Sequence, residues 1–225
     1  YWCKEQGNNT ERIKRRMSAI SAFYKFLRRK KLIKENPMEF MIRPKSGLPV
    51  VVQTFLTPEQ VQQARDWLEK EGDLQLATFF EVGIDTMARV NALSNLQWNQ
   101  IDFDNYVIDD VLEKEGKIVT LYFGDRTRDF LLKLKKDREE KGINCDYVFC
   151  AKYNGIYDKV STSTLNAWTK KIGEAIGVPT LHPHDLRHSG SQLRKLSGMP
   201  IELISELLNH AGLDVTKKHY LREDK

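Results

Sequence analysis

His182-Pro183-His184-Asp185-Leu186-Arg187-His188-Ser189 is the stretch on which the reading of this chain turns. A proline suits the first position of a helix, where its missing N–H costs nothing. Gly198 stands where such a helix would stop. The spacing therefore predicts a helix opened by Pro183, with His184 and Arg187 on one face. Ile201 to Leu208 predicts a second, short helix, followed by His210 and then Tyr220. Far upstream stand two further cations, Arg89 and Lys114. Guanidinium groups can hold a tetrahedral phosphate, and a phenol nearby can attack it. No cluster of acids at metal-ligand spacing accompanies these residues, so the expectation is phosphoryl transfer with side-chain cations in place of a metal and with no cofactor.

The 225 residues allow one large domain or two small ones. A hydrophobic content of 40% suffices to bury a core. No apolar run has the length of a membrane span, and no secretory signal is visible. The chain starts at Tyr1 rather than Met and stops soon after Tyr220, so both ends are expected to be cut. Cys3, Cys145 and Cys150 form no CxxC pair, which argues against a zinc site or a disulfide framework and for a reducing cytosol. Cys150 ends the apolar run Tyr147-Val148-Phe149 and reads as a small buried hydrophobe.

The net charge of +5 is unevenly placed. Between residues 11 and 45 stand Arg12, Lys14, Arg15, Arg16, Lys25, Arg28, Arg29, Lys30, Lys31, Lys34, Arg43 and Lys45, against only Glu11, Glu35 and Glu39. The rest of the chain is slightly acidic. A positive field concentrated in one segment suits a module that grips a polyanion, and duplex DNA is the expected partner.

Residues 10–35 predict one long helix or two stacked ones. Ile13, Met17, Ile20, Tyr24 and Leu27 draw an apolar stripe expected to pack on neighbouring helices, with the basic residues mostly off it. Asn36-Pro37 ends this region. A helical domain over 1–45, a Pro/Gly linker over 46–54 and a larger domain over 55–225 are expected. Thr57-Pro58-Glu59-Gln60 predicts a capped helix start. Further helices are expected over 74–82, 130–141 and around Leu165 to Ala175, the last stopped by Gly177. Ile101 to Phe103, Tyr106 to Ile108 and Ile118 to Phe123 predict a small antiparallel sheet, and Tyr147 to Cys150 another strand. The fold class is α+β, mainly helical.

The block from His182 to Ser189, with Leu208-Asn209-His210, Val215-Thr216 and Tyr220, resembles the C-terminal signature of the tyrosine recombinases, the phage-type integrases and Xer-type resolvases. Ala88-Arg89-Val90-Asn91-Ala92-Leu93 looks like that family's first arginine motif, and Lys114-Glu115-Gly116-Lys117 is similar to its lysine-bearing β-hairpin. Residues 18–37 are similar to the end of its core-binding domain. The resemblance spans nearly the whole chain.

The resemblance implies that Arg89 and Arg187 bind the scissile phosphate. It implies that Lys114 protonates the 5′-oxygen, with Lys117 as competitor, and that His184 acts as base. His210 would hydrogen-bond the phosphate, and Tyr220 would form a covalent 3′-phosphotyrosyl link. It also implies duplex recombination sites as substrate, a homo-tetramer on DNA exchanging strands through a Holliday junction, and a prokaryotic, cytoplasmic, nucleoid-associated setting. The concentration of basic charge between residues 11 and 45 makes Arg12, Lys14, Arg15, Arg16, Lys25, Arg28, Arg29, Lys30, Lys31, Arg43 and Lys45 the expected DNA-gripping residues. Three positions depart from the family pattern: Met87 and Asn209 where glycine is usual, and Ala92 where glutamate is common. Ala92 implies that another group holds the Arg89 guanidinium. Two alternatives stay open: a type IB topoisomerase, which uses similar residues, and a DNA-binding relative that has lost catalysis.

Overall fold

The computed structural model describes residues 2–45, 55–113 and 116–208. The expected linker at 46–54, together with Lys114, His210 and Tyr220, lies outside the described residues. The chain divides into two compact units, Tyr1–Val52 and Gln53–Lys225.

The first unit holds α1 (Trp2–Glu5) and α2 (Thr10–Arg29). Asn9 caps α2 by accepting the Arg12 N–H. The helix stops at Arg29 rather than continuing to 35. Lys30 caps it, and Lys31 turns into the left-handed region at φ 58°. The apolar stripe is only half covered: Ile13, Met17, Tyr24 and Leu27 are partly buried and Ile20 is exposed. Within the described residues of this unit, a four-residue helix and the 30–45 segment offer too little surface to cover a twenty-residue helix.

The second unit is built around α4 (Leu74–Thr86), buried on nearly every side from Leu76 to Thr86. It lies among α3 (Pro58–Glu71), α6 (Asp125–Glu140) and α8 (Pro183–Leu196). α3 starts with the expected capping box, in which Thr57 and Gln60 exchange side chain-to-backbone bonds, and it ends at Gly72 with φ 69°. α5 (Val90–Ser94) and α7 (Thr162–Ala175) pack against each other, and α9 (Ile201–Leu207) follows α8. Phe79, Phe149 and Trp168 meet edge-to-face at the centre of the core. Glu81 is a buried acid inside this core. Arg65 holds both its oxygens at 2.8 Å, and the Arg126 Nε bonds one of them at 2.9 Å, which offsets its loss of hydration.

The expected sheet is present as β1 (Ile101–Asp102), β2 (Val107–Leu112) and β3 (Ile118–Tyr122), antiparallel in that order. A bulge between Ile108 and Val111, with Asp110 at φ 54°, resets which side chains face inward. The strand expected at 147–150 is displaced. Tyr147 makes only an isolated bridge to Gln97, and the strand β4 begins at Cys150 and runs to Tyr153. It pairs with β5 (Ile156–Lys159) across Asn154-Gly155, both at positive φ. That two-residue loop is a type I′ hairpin turn. Cys150 is buried, as expected. Among the described residues no helix is long and apolar enough to cross a membrane.

Candidate active site

The site begins with the way α4 ends. Met87 caps α4 in the left-handed conformation, φ 53° and ψ 27°, which costs a non-glycine residue about 1–2 kcal/mol. The Met87 side chain is buried with Ile204 and Leu208, and this packing offsets the cost. The turn stops α4, presents the Met87 carbonyl toward α8, and leaves Arg89 as the residue that starts α5.

α8 is seated against this turn along its length. At its start, Pro183 occupies the first turn, and His182 and Asp185 form a reciprocal cap, with the His182 N–H bonded to the Asp185 carboxylate at 3.0 Å. Burial raises the Asp185 pKa, and the His182 contacts pull against that shift. Ser189 accepts the Leu56 N–H at 2.9 Å. Gly190 lies directly on α4: a Cβ there would stand 2.0 Å from the Ile84 carbonyl oxygen. Near its end, Arg194 bonds the Asp85 carboxylate at 2.8 Å. Asp85 also accepts the Gly124 N–H and the Thr127 hydroxyl, each at 2.7 Å, so one carboxylate ties α4, α6 and α8 together.

Arg187 therefore points inward. Its side chain is 3% exposed, and it donates to the Met87 carbonyl at 2.6 Å and to the Leu208 carbonyl. Arg89 arrives from the start of α5, about one third exposed, with its pKa lowered by burial. The two guanidiniums meet at a single carboxylate, that of Glu113. Arg89 Nη1 pairs with Glu113 Oε2, and Arg187 Nη1 lies 3.8 Å from Oε1. The Glu113 side chain is 1% exposed, and among the described residues neither of its oxygens has a well-formed hydrogen bond.

Of the residues expected in the site, the structure brings Arg89 and Arg187 to one locus. His184 lies on α8 with Arg187, yet it is exposed while Arg187 is buried. Its ring meets His188 edge-on, with 4.3 Å between centroids, and His188 in turn meets Phe55. Three positions on a helix bring residues near each other without giving them equal burial, because α4 covers only part of that face. Lys114 falls between β2 and β3 in the chain, outside the described residues, and Lys117 is exposed at the foot of β3. In the first unit, Arg12, Arg15, Lys25, Arg28, Arg29, Lys30, Lys31, Arg43 and Lys45 are exposed, and Lys14 and Arg16 are partly buried. Arg28 pairs with Glu39, and Arg43 reaches Ser18 at 3.2 Å.

Sequence reasoning missed Glu113. The signal was there: Val111 faces inward, Leu112 outward, and Glu113 falls on the next inward position of the strand path. A carboxylate at an inward position calls for a cationic partner.

A model of the phage integrase family matches residues 54–225. The chain belongs to the phage integrase family. A tyrosine recombinase XerC of Pseudomonas savastanoi pv. phaseolicola is 26% identical over 217 residues, covering 95% of this chain and 70% of the relative. Two solved structures share the fold. The crystal structure of XerA recombinase has a TM-score of 0.65 at 19% identity, covering 99% of this chain and 77% of that one. The Tn1549 transposon integrase in complex with transposon right end DNA has a TM-score of 0.77 at 17% identity, covering 97% and 77%. The α+β, mainly helical class and the tyrosine-recombinase resemblance read from the sequence both stand.

Proposed function

We propose that this chain is a site-specific DNA recombinase that cuts and rejoins duplex DNA through a covalent 3′-phosphotyrosyl intermediate. The observation that carries the reading is the convergence of Arg89 and Arg187 on one anionic group. A phosphodiester under attack gathers charge on its two non-bridging oxygens, and two guanidiniums aimed at one locus are suited to hold them. Arg187 is fixed by two backbone carbonyls, so little reorganisation would be needed when charge develops. In this reading Tyr220 attacks phosphorus, His184 takes or orients the phenol proton, His210 bonds the phosphate, and Lys114 protonates the departing 5′-oxygen. The phosphotyrosyl bond retains the free energy of the phosphodiester, so rejoining needs no ATP.

The membership of the family and the DNA complexes named for its structural relatives support duplex DNA as the substrate. The exposed basic residues of the first unit supply a backbone-gripping surface. Residues 1–45 would act as a core-binding domain, 46–54 as linker and 55–225 as catalytic domain. Four copies would assemble on two paired sites in the prokaryotic cytoplasm. The test is a nicked suicide duplex incubated with the full chain. A 3′-linked protein–DNA adduct that disappears with Tyr220→Phe is expected. A wild-type protein that binds its duplex without forming an adduct would refute catalysis and leave a DNA-binding relative.

A further inference from the structure

Glu113 is an unusual residue to find between two arginines. It is almost fully buried, it comes from the end of β2 rather than from either arginine's helix, and its two oxygens face different guanidiniums. A carboxylate with its oxygens split between two forks reproduces the part of a phosphodiester that such forks bind, the pair of non-bridging oxygens. A buried guanidinium beside a half-buried one, with no anion between them, would repel its neighbour and lose hydration uncompensated. An internal counter-ion removes that cost in the absence of DNA.

Among the described residues the same carboxylate is held by ion pairing alone. Among the described residues neither oxygen has a well-formed hydrogen bond, and one of its two ion pairs spans 3.8 Å. Arg187, by contrast, is fixed independently of Glu113 by the Met87 and Leu208 carbonyls. Removing the carboxylate would therefore leave Arg187 in position, and a group that satisfies the guanidinium N–H donors better would displace it.

Resting on the reading of Arg89 and Arg187 as phosphate ligands, we infer that Glu113 is a positioning residue that occupies the phosphate seat. It holds the two guanidiniums facing one another until the scissile phosphate takes its place. It thus sets how strongly the site takes up an anion, and a neutral side chain there loses its ion pairs to the guanidiniums and competes less well with phosphate.

The experiment titrates inorganic phosphate into the full chain and its Glu113→Gln variant, followed by NMR of arginine side-chain N–H resonances. Phosphate binding at least about tenfold tighter in the Gln variant is expected, a gain abolished by adding Arg187→Ala. Equal affinity in both proteins, or no binding by either, overturns the inference. Glu113→Asp is the second variant. Its shorter side chain draws the carboxylate back, and a smaller gain in phosphate affinity is expected. If the Gln variant fails to fold, an Asp variant that binds phosphate no better than wild type overturns the inference in its place. Because phosphate binding needs no Tyr220, a gain without adduct formation on the suicide duplex would sink the recombinase reading alone. Adduct formation by wild type without a phosphate gain would sink the role of Glu113 alone.

Discussion

Gly190→Ala tests whether the seating of α8 on α4 is what brings the two arginines together. The new Cβ would lie 2.0 Å from the Ile84 carbonyl oxygen and 2.9 Å from the Met87 Cγ. Ordinary packing distances begin near 3.4 Å, so the helices must part by about 1.4 Å. The obstacle is backbone in the middle of a buried helix, which cannot rotate away. Overpacking of this kind costs about 1–3 kcal/mol. The same displacement would stretch the Arg194–Asp85 bond from 2.8 Å and the Arg187–Met87 bond from 2.6 Å, out of hydrogen-bonding range. Weakening charged hydrogen bonds adds about 1.5–3 kcal/mol. A total near 4 kcal/mol corresponds to a fall in Tm of about 8–16 °C for a unit of this size. Gly83→Ala is the internal comparison. Its Cβ presses only on the end of the Leu186 side chain, at 3.1 Å, its other neighbours lying at 3.8 Å or beyond, and a helix-interior alanine gains about 1 kcal/mol over glycine. It is expected to change stability by less than about 1 kcal/mol in either direction. Urea unfolding followed by tryptophan fluorescence reads both. If Gly190→Ala unfolds at the same urea concentration as Gly83→Ala, the close approach of α8 to α4 is absent, and the site's geometry loses its support. In the folded fraction of Gly190→Ala, adduct formation is expected to fall about a hundredfold, since a misplacement of about 1 Å has that effect on catalysis.

Thr57→Ala removes the capping box of α3 and should cost about 1 kcal/mol, with Thr57→Ser restoring most of it in the same urea titration. Burial pushes the Cys150 thiol up to about 11 from its ordinary 9.0. At pH 8 only about one thiol in a thousand is ionised, so iodoacetamide should label Cys145 well before Cys150, as read by mass spectrometry. The sign for stability follows: a raised pKa favours the neutral thiol in the fold, so the contribution of Cys150 is intact below pH 9 and is lost as pH rises toward about 11, measurable by alkaline melting curves. Replacing Arg12, Arg15, Lys25 and Arg29 together with alanine should flatten the dependence of log K on log salt by about 0.9 for each phosphate no longer neutralised, and an unchanged slope would remove these residues from the DNA-binding surface.

What could be read from the sequence was whatever is written locally. The start signals at Thr57 and Pro183, the stops at Gly177 and Gly198, and the three-stranded sheet all depend on residues close together in the chain. α5 was missed because five residues carry too little periodicity to stand out. β5 was missed although Asn154-Gly155 is a strong hairpin signal, because no alternation on either side drew attention to it. α6 begins at Asp125 rather than near 130 because its first turn is polar, and its apolar pattern starts only at Phe130.

The site divides along the same line. The identities of Arg89 and Arg187 could be picked out by type, but the groups that make a buried arginine tolerable could not. Arg187 is held by the carbonyls of Met87 and Leu208, and every residue has a carbonyl. What selects these two is conformation: a left-handed turn at Met87, kept by burial of its side chain against Ile204 and Leu208. A glycine at position 87 would adopt the turn more cheaply but would give up that apolar packing. Methionine there makes the turn depend on α9, so the packing of a short C-terminal helix and the orientation of the catalytic-type arginine become one energetic unit. Glu113 closes the arrangement from the sheet side. The candidate phosphate seat thus draws on α4, α5, α8, α9 and β2 at once, and a property shared among five elements is carried by no single stretch of sequence.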